Sequence, residues 1–182
     1  MNNDWINKGN QFYKDGLYKE AVQCYDQALK LDPKNIAVWN NRGLSLANLG
    51  LHEEAIQSYS NALKFNTQYF NAWSNLGISL DALKEFEKAL ICFDKALELN
   101  PKHALTWRQK GDVLYKLGRH EEGDYCSEQV LKLVVPESSL FKSTSVLLSK
   151  RKKDVNLPVN HKENISSQNP SIGQDIAEQT TN

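Results

Sequence analysis

The sequence predicts an all-α solenoid built from four copies of one helix-turn-helix unit. Three observations predict it. Trp5, Trp39, Trp73 and Trp107 stand 34 residues apart each time and are all the tryptophans in the chain. Gly9, Gly43, Gly77 and Gly111 keep the same spacing. Within each period, apolar residues recur at helical intervals on either side of a turn signal. A fixed period of this size belongs to stacked repeats and not to one closed core.

The first repeat covers residues 2–35. Its first helix is expected from about Asp4 to Lys14, with Trp5, Lys8, Gly9 and Phe12 at helical spacing, and Asp15–Gly16 breaks it. Its second helix is expected from Tyr18 to Leu31, with Ala21, Cys24, Tyr25, Ala28 and Leu29 on one face. Asp32–Pro33 ends it, because proline disfavours helical backbone in the residue before it. The second repeat, 36–69, repeats the logic through Trp39, Gly43, Leu46, the turn at Gly50, and Ala55, Tyr59, Ala62 and Leu63. Thr67 stands where the first repeat has Pro33. The third, 70–103, has Trp73, Gly77, Leu80, Ala89, Phe93, Ala96 and Leu97, with Lys84 where the other internal turns have glycine. The fourth, 104–137, keeps Trp107, Gly111, Leu114 and Gly118 but replaces the alanine by Gly123 and the aromatic by Ser127.

Glycine inside a helix costs about 1 kcal/mol relative to alanine, so four glycines in register imply a packing reason. The expectation is that they admit Ala21, Ala55 and Ala89 of the partner helix, while Tyr25, Tyr59 and Phe93 fill wider gaps between repeats.

The spaced set Trp73, Leu76, Gly77, Leu80, Ala89, Phe93, Ala96 and Pro101 resembles the tetratricopeptide repeat. The resemblance covers about residues 2–136. It implies an α-α superhelix whose concave groove is lined by the first helices, and a binding role in place of catalysis. Residues 137–150, with Leu140, Phe141, Thr144, Leu147 and Leu148 one or two turns apart, read as an amphipathic helix. The resemblance implies that it caps the fourth repeat, completing a repeat domain over 2–150. The tail, 151–182, has no aromatic residue and is rich in Asn, Ser, Gln and Thr, a composition expected to stay disordered. Lys150–Arg151–Lys152–Lys153 reads as a solvated helix end, where positive charge suits the dipole.

Lys+Arg and Asp+Glu both number 22, so the net charge is zero, which argues against a nucleic-acid binder working by bulk electrostatics. No apolar run approaches the ~20 residues of a membrane span, and Met1–Asn2–Asn3–Asp4 carries no signal segment. A cytoplasmic protein without membrane insertion is expected. Cys24, Cys92 and Cys126 share one repeat position, too far apart for a disulfide and expected to be small, semi-buried fillers. No histidine has metal-ligand spacing with a cysteine or carboxylate; His52 and His120 take the place of Tyr18 and Phe86 as aromatic packing. There is no phosphate loop and no nucleophile elbow. Glu53–Glu54 and Glu121–Glu122 suit second-helix N-termini. The expectation is therefore no enzyme, no metal and no cofactor.

The groove is where function is expected. Asn7, Asn41, Asn75 and Gln109 place one side-chain amide in each repeat, two before the glycine. Each amide offers two donors and an acceptor, able to pair with the backbone of an extended peptide or to bond within the scaffold. In a protein with repeats of this family, similar asparagine ladders grip substrate backbone. Leu44 and Ile78 beside the ladder add apolar grip. Family members that clamp an acidic chaperone C-terminus use lysines, an arginine and asparagines. Asn10 and Asn41 match the asparagines, but Ile6, Asn71 and Asn75 replace the cations, which argues against that partner. The expected function is a protein-interaction adaptor holding a peptide at Asn7, Asn10, Asn41, Leu44, Asn75, Ile78 and Gln109. The alternative is a self-associating scaffold that pairs through the solenoid end or the helix over 137–150.

Overall fold

The computed structural model describes residues 2–135. The helix expected at 137–150 and the tail lie outside the described residues. Eight helices run in order among them: α1 (Asn2–Lys14), α2 (Tyr18–Leu31), α3 (Ile36–Asn48), α4 (His52–Phe65), α5 (Phe70–Ala82), α6 (Phe86–Leu99), α7 (Ala104–Lys116) and α8 (His120–Val134). No strand interrupts them among the described residues, and the architecture is an all-α repeat superhelix. Consecutive helices pair as hairpins, and each hairpin packs on the next through its first helix. First helices of neighbouring repeats also touch, α1 with α3, α3 with α5 and α5 with α7. No comparable contact joins second helices, so the stack curves with the first helices on its inner side.

The internal turns share one backbone solution. Gly16, Gly50 and Gly118 adopt φ of 76°, 78° and 74°, and Lys84 adopts φ 62° at the same place. The next residue then donates back five positions: Leu17 to Phe12, Leu51 to Leu46, Glu85 to Leu80 and Arg119 to Leu114, at 2.8–3.0 Å. This is the Schellman closure, which satisfies the last carbonyls of a helix and needs the left-handed region that glycine reaches without strain.

The inter-repeat turns are held by side chains. The indole Nε1–H of Trp39, Trp73 and Trp107 donates to the carbonyl of Pro33, Thr67 and Pro101, each at 2.8 Å. Asn35 and His103 also cap α3 and α7 through the backbone N–H of Val38 and Thr106.

The core corrects the expected glycine packing. A Cβ on Gly9, Gly43 or Gly77 would stand 2.7, 2.5 or 2.6 Å from Cε1 of Tyr25, Tyr59 or Phe93. The group nearest these glycines is therefore the aromatic ring of their own partner helix and not the alanine. Helical spacing showed that both residues face inward, but not which one crosses the glycine. The fourth repeat solves the same problem in reverse. A Cβ on Gly111 would meet only Cys126 and the Gly123 carbonyl, whereas one on Gly123 would stand 2.9 Å from the Tyr115 ring. The ring comes from α7 because Ser127 supplies none on α8.

The three cysteines are free and buried, not semi-buried. Burial pushes the Cys92 thiol up to about 12. His120 packs on Tyr115 with ring centroids 5.9 Å apart, as Tyr18 packs on Tyr13 at 5.5 Å. No described helix is long and apolar enough to cross a membrane.

Candidate functional site

The inner wall is built from one face of α1, α3, α5 and α7. Ile78 is 36% exposed and Leu105 46%, while Leu44 is half-buried between them and α1. Ala37 and Ala82 are exposed beside them and leave the surface low. Leu44 packs partly against the core, whereas Ile78 and Leu105 stand exposed outside it.

Amides border this apolar strip and are tied to one another. Asn10 Oδ1 accepts from the Tyr25 hydroxyl at 2.8 Å and from Asn41 Nδ2 at 3.2 Å. Asn40 donates to Asn41 Oδ1 at 3.4 Å, and Asn75 donates to Asn40 Oδ1 at 2.9 Å. A hydrogen-bonded run thus crosses three repeats. Asn41 and Asn75 each use one N–H in the scaffold and keep a second. Asn7 is exposed on α1. Gln109 Oε1 is shielded from solvent without a hydrogen-bond partner. Sequence reasoning placed the ladder on one surface but did not reveal that Asn40, the neighbour of Asn41, joins it.

One charge pair on this wall is internally satisfied. Lys116 donates to both Asp81 carboxylate oxygens at 2.6 and 2.7 Å, bridging α7 to α5. Asn48 donates to the Tyr13 hydroxyl at 3.4 Å and to the Leu44 carbonyl at 2.8 Å. Ile6 is half-buried and Asn71 exposed at positions where an acidic-tail clamp needs cations. Behind the wall, Arg42 reaches Asp26 and the Ser58 hydroxyl, both at 2.7 Å, fixing α3 against α2 and α4. Among the described residues, no cluster of three His, Cys, Asp or Glu side chains has a metal-holding arrangement.

Comparison with known proteins agrees with this geometry. Family models match at residues 9–50 (TPR repeat), at 36–69 and 70–103 (tetratricopeptide repeat), and at 92–124 (tetratricopeptide repeat). The chain is similar to the first TPR of Spaghetti (RPAP3) bound to the HSP90 peptide SRMEEVD, with 27% identity and TM-score 0.63. That match covers 64% of this chain and 93% of the other. The first TPR domain of human RPAP3 is 28% identical with TM-score 0.63, covering 66% and 95%. The structure of MamA shares the fold at 22% identity and TM-score 0.67, covering 79% and 84%.

Proposed function

The chain belongs to the tetratricopeptide repeat family, a fold of protein-interaction modules, and on that premise we propose that its concave groove binds an extended peptide segment of another protein. Exposed Ile78 and Leu105 with half-buried Leu44, set among side-chain amides, are the observation that carries this reading. The ligand's side chains rest on that strip, and its backbone pairs with Asn7 and with the second N–H of Asn41 and Asn75. Asn10 and Gln109 mark the two ends of the contact.

The proposed ligand is apolar and uncharged. A terminal carboxylate gains most from charge-assisted bonds, and here Lys116 is already engaged by Asp81. The segment bound in the RPAP3 neighbour is acidic; the groove of this chain, with Ile6, Asn71 and Asn75, is suited to a different class. The role is binding and not catalysis, and the protein acts as an adaptor.

A displayed library of random peptides tests this. Peptides selected on the wild-type chain should be rich in apolar residues and should bind Ile78→Asp at least tenfold more weakly by calorimetry. Lys132→Ala, on α8 away from the groove, should bind as the wild type. Equal affinity for Ile78→Asp and wild type would overturn the groove assignment.

A further inference from the structure

The second helices α2, α4, α6 and α8 end side by side, on the edge where the inter-repeat turns lie. One apolar residue of each last turn recurs there every 34 positions: Leu31, Phe65, Leu99 and Leu133. Leu31 is 56% exposed, Phe65 41% and Leu133 38%, while Leu99 is half-buried. Two positions earlier, Leu29, Leu63 and Leu97 are buried. In these helices the core takes one apolar side chain of the last turn and leaves the next at the rim. The indoles of Trp39 and Trp107 reach the same edge through their bonds to the Pro33 and Pro101 carbonyls.

Cations flank this row. Lys30, Lys64 and Lys132 each precede one of its apolar residues, and Lys34 and Lys102 stand in the turns themselves. All five are exposed, and none makes an ion pair among the described residues. The helix dipole accounts for a cation in a last turn, but Lys34 and Lys102 lie beyond the helices, and a dipole calls for no apolar neighbour. Two carboxylates nearby are engaged. Asp32 accepts from the Lys34 backbone N–H and from Asn35 Nδ2, each at 3.2 Å, and Glu98 is held by Lys95 at 2.9 Å. Glu53, Glu54, Glu87 and Glu121 stand exposed at the starts of second helices, on the opposite edge. A net charge of zero thus conceals two unlike edges.

We propose that the edge of the inter-repeat turns docks on the surface of an anionic lipid membrane, with Leu31, Phe65 and Leu133 in the interface and the five lysines on the head groups. Leucine and phenylalanine set beside lysine, with indoles close by, is the composition of interfacial membrane contacts. The long lysine stem lets its ammonium stay with the head groups while the adjacent apolar side chain goes deeper. The row also sits on helix ends and turns, away from the concave wall. Amphipathic partner helices are taken up in grooves, whereas a row of corners suits a plane. The contact is peripheral, since no described helix is long and apolar enough to cross a membrane. It uses a different surface from peptide binding and does not rest on it.

Vesicle flotation of the full chain tests it. The chain should float with vesicles of mixed phosphatidylcholine and phosphatidylserine, far less with phosphatidylcholine alone, and less as salt rises. Leu31→Asp/Phe65→Asp and Lys30→Glu/Lys64→Glu should each weaken binding at least tenfold, with thermal midpoints checking that both remain folded. Ile78→Asp, on the groove wall, should float as the wild type does. Brominated lipid should quench the indole emission of the bound wild type. A wild-type chain that stays behind, or indoles that stay bright, would overturn the proposal. Edge variants that float like the wild type would overturn it too, and would assign the lipid contact to the basic run at 150–153. Tighter binding to a soluble acidic peptide than to the vesicles, lost in the same variants, would reject the membrane in favour of a protein partner.

Discussion

Gly43 and Tyr59 are fitted so closely that a single methyl on the glycine would stand 2.5 Å from the phenol ring. The ring is fully buried and cannot retreat into solvent. Gly43→Ala is therefore expected to destabilise the protein by about 1–3 kcal/mol, the usual cost of overpacking, despite alanine's better helix propensity. Gly111→Ala meets Cys126 Cβ at 3.1 Å and no ring, so it should cost clearly less. Urea unfolding of the two variants gives the comparison.

The amide run predicts a difference between two members of the same ladder. Asn75→Ala removes the donor to Asn40 Oδ1, and Asn40 is only 3% exposed. A buried acceptor left unpaired costs about 1–3 kcal/mol. Asn7→Ala touches an exposed amide and should stay within about 0.5 kcal/mol of wild type. Equal stability losses for the two would show that the run contributes nothing to the scaffold.

Lys84 occupies a left-handed turn that three glycines occupy elsewhere. Left-handed backbone costs an L-residue about 1–2 kcal/mol, and the extra freedom of glycine in the unfolded chain returns part of that. Lys84→Gly should therefore raise stability by about 0.5–1 kcal/mol, seen as a higher thermal midpoint. Gly50→Lys should lower it by a similar amount.

Burial pushes the Tyr25 phenol up to about 12 and raises the Tyr59 phenol in the same direction. Both phenols ionise more readily in the unfolded chain, where the ordinary value is near 10. Their contribution to stability is present in full below that value and is lost as pH rises from there through the folded pKa. Urea midpoints should thus fall above pH 10. The fall should be shallower for Tyr59→Phe than for wild type.

Much of this was legible in the sequence because a strict period reports helix length and turn position directly. Tyr18–Leu31 ends where proline and the apolar face said it would, and Lys84 stood out as the exception among turn glycines. Contacts between helices were less legible. The period says that Gly43 and Tyr59 both face inward; only the crossing geometry says that they meet. The site divides the same way. The ladder positions repeat every 34 residues, but the bonds Asn41–Asn10 and Asn75–Asn40 span 31 and 35 residues. An interaction out of step with the repeat leaves no periodic trace. His103 caps α7 from the place where Asn35 stands one double period earlier, a role that helical spacing does not report.

The indole bonds explain why one junction dispenses with proline. Trp73 takes hold of the Thr67 carbonyl at the same 2.8 Å at which Trp39 and Trp107 hold Pro33 and Pro101. Every amino acid carries that oxygen, so the latch is indifferent to what the linker is made of. Substitutions between hairpins can then accumulate without loosening the spine, leaving those outer corners free to acquire local character while the pitch of the stack is kept.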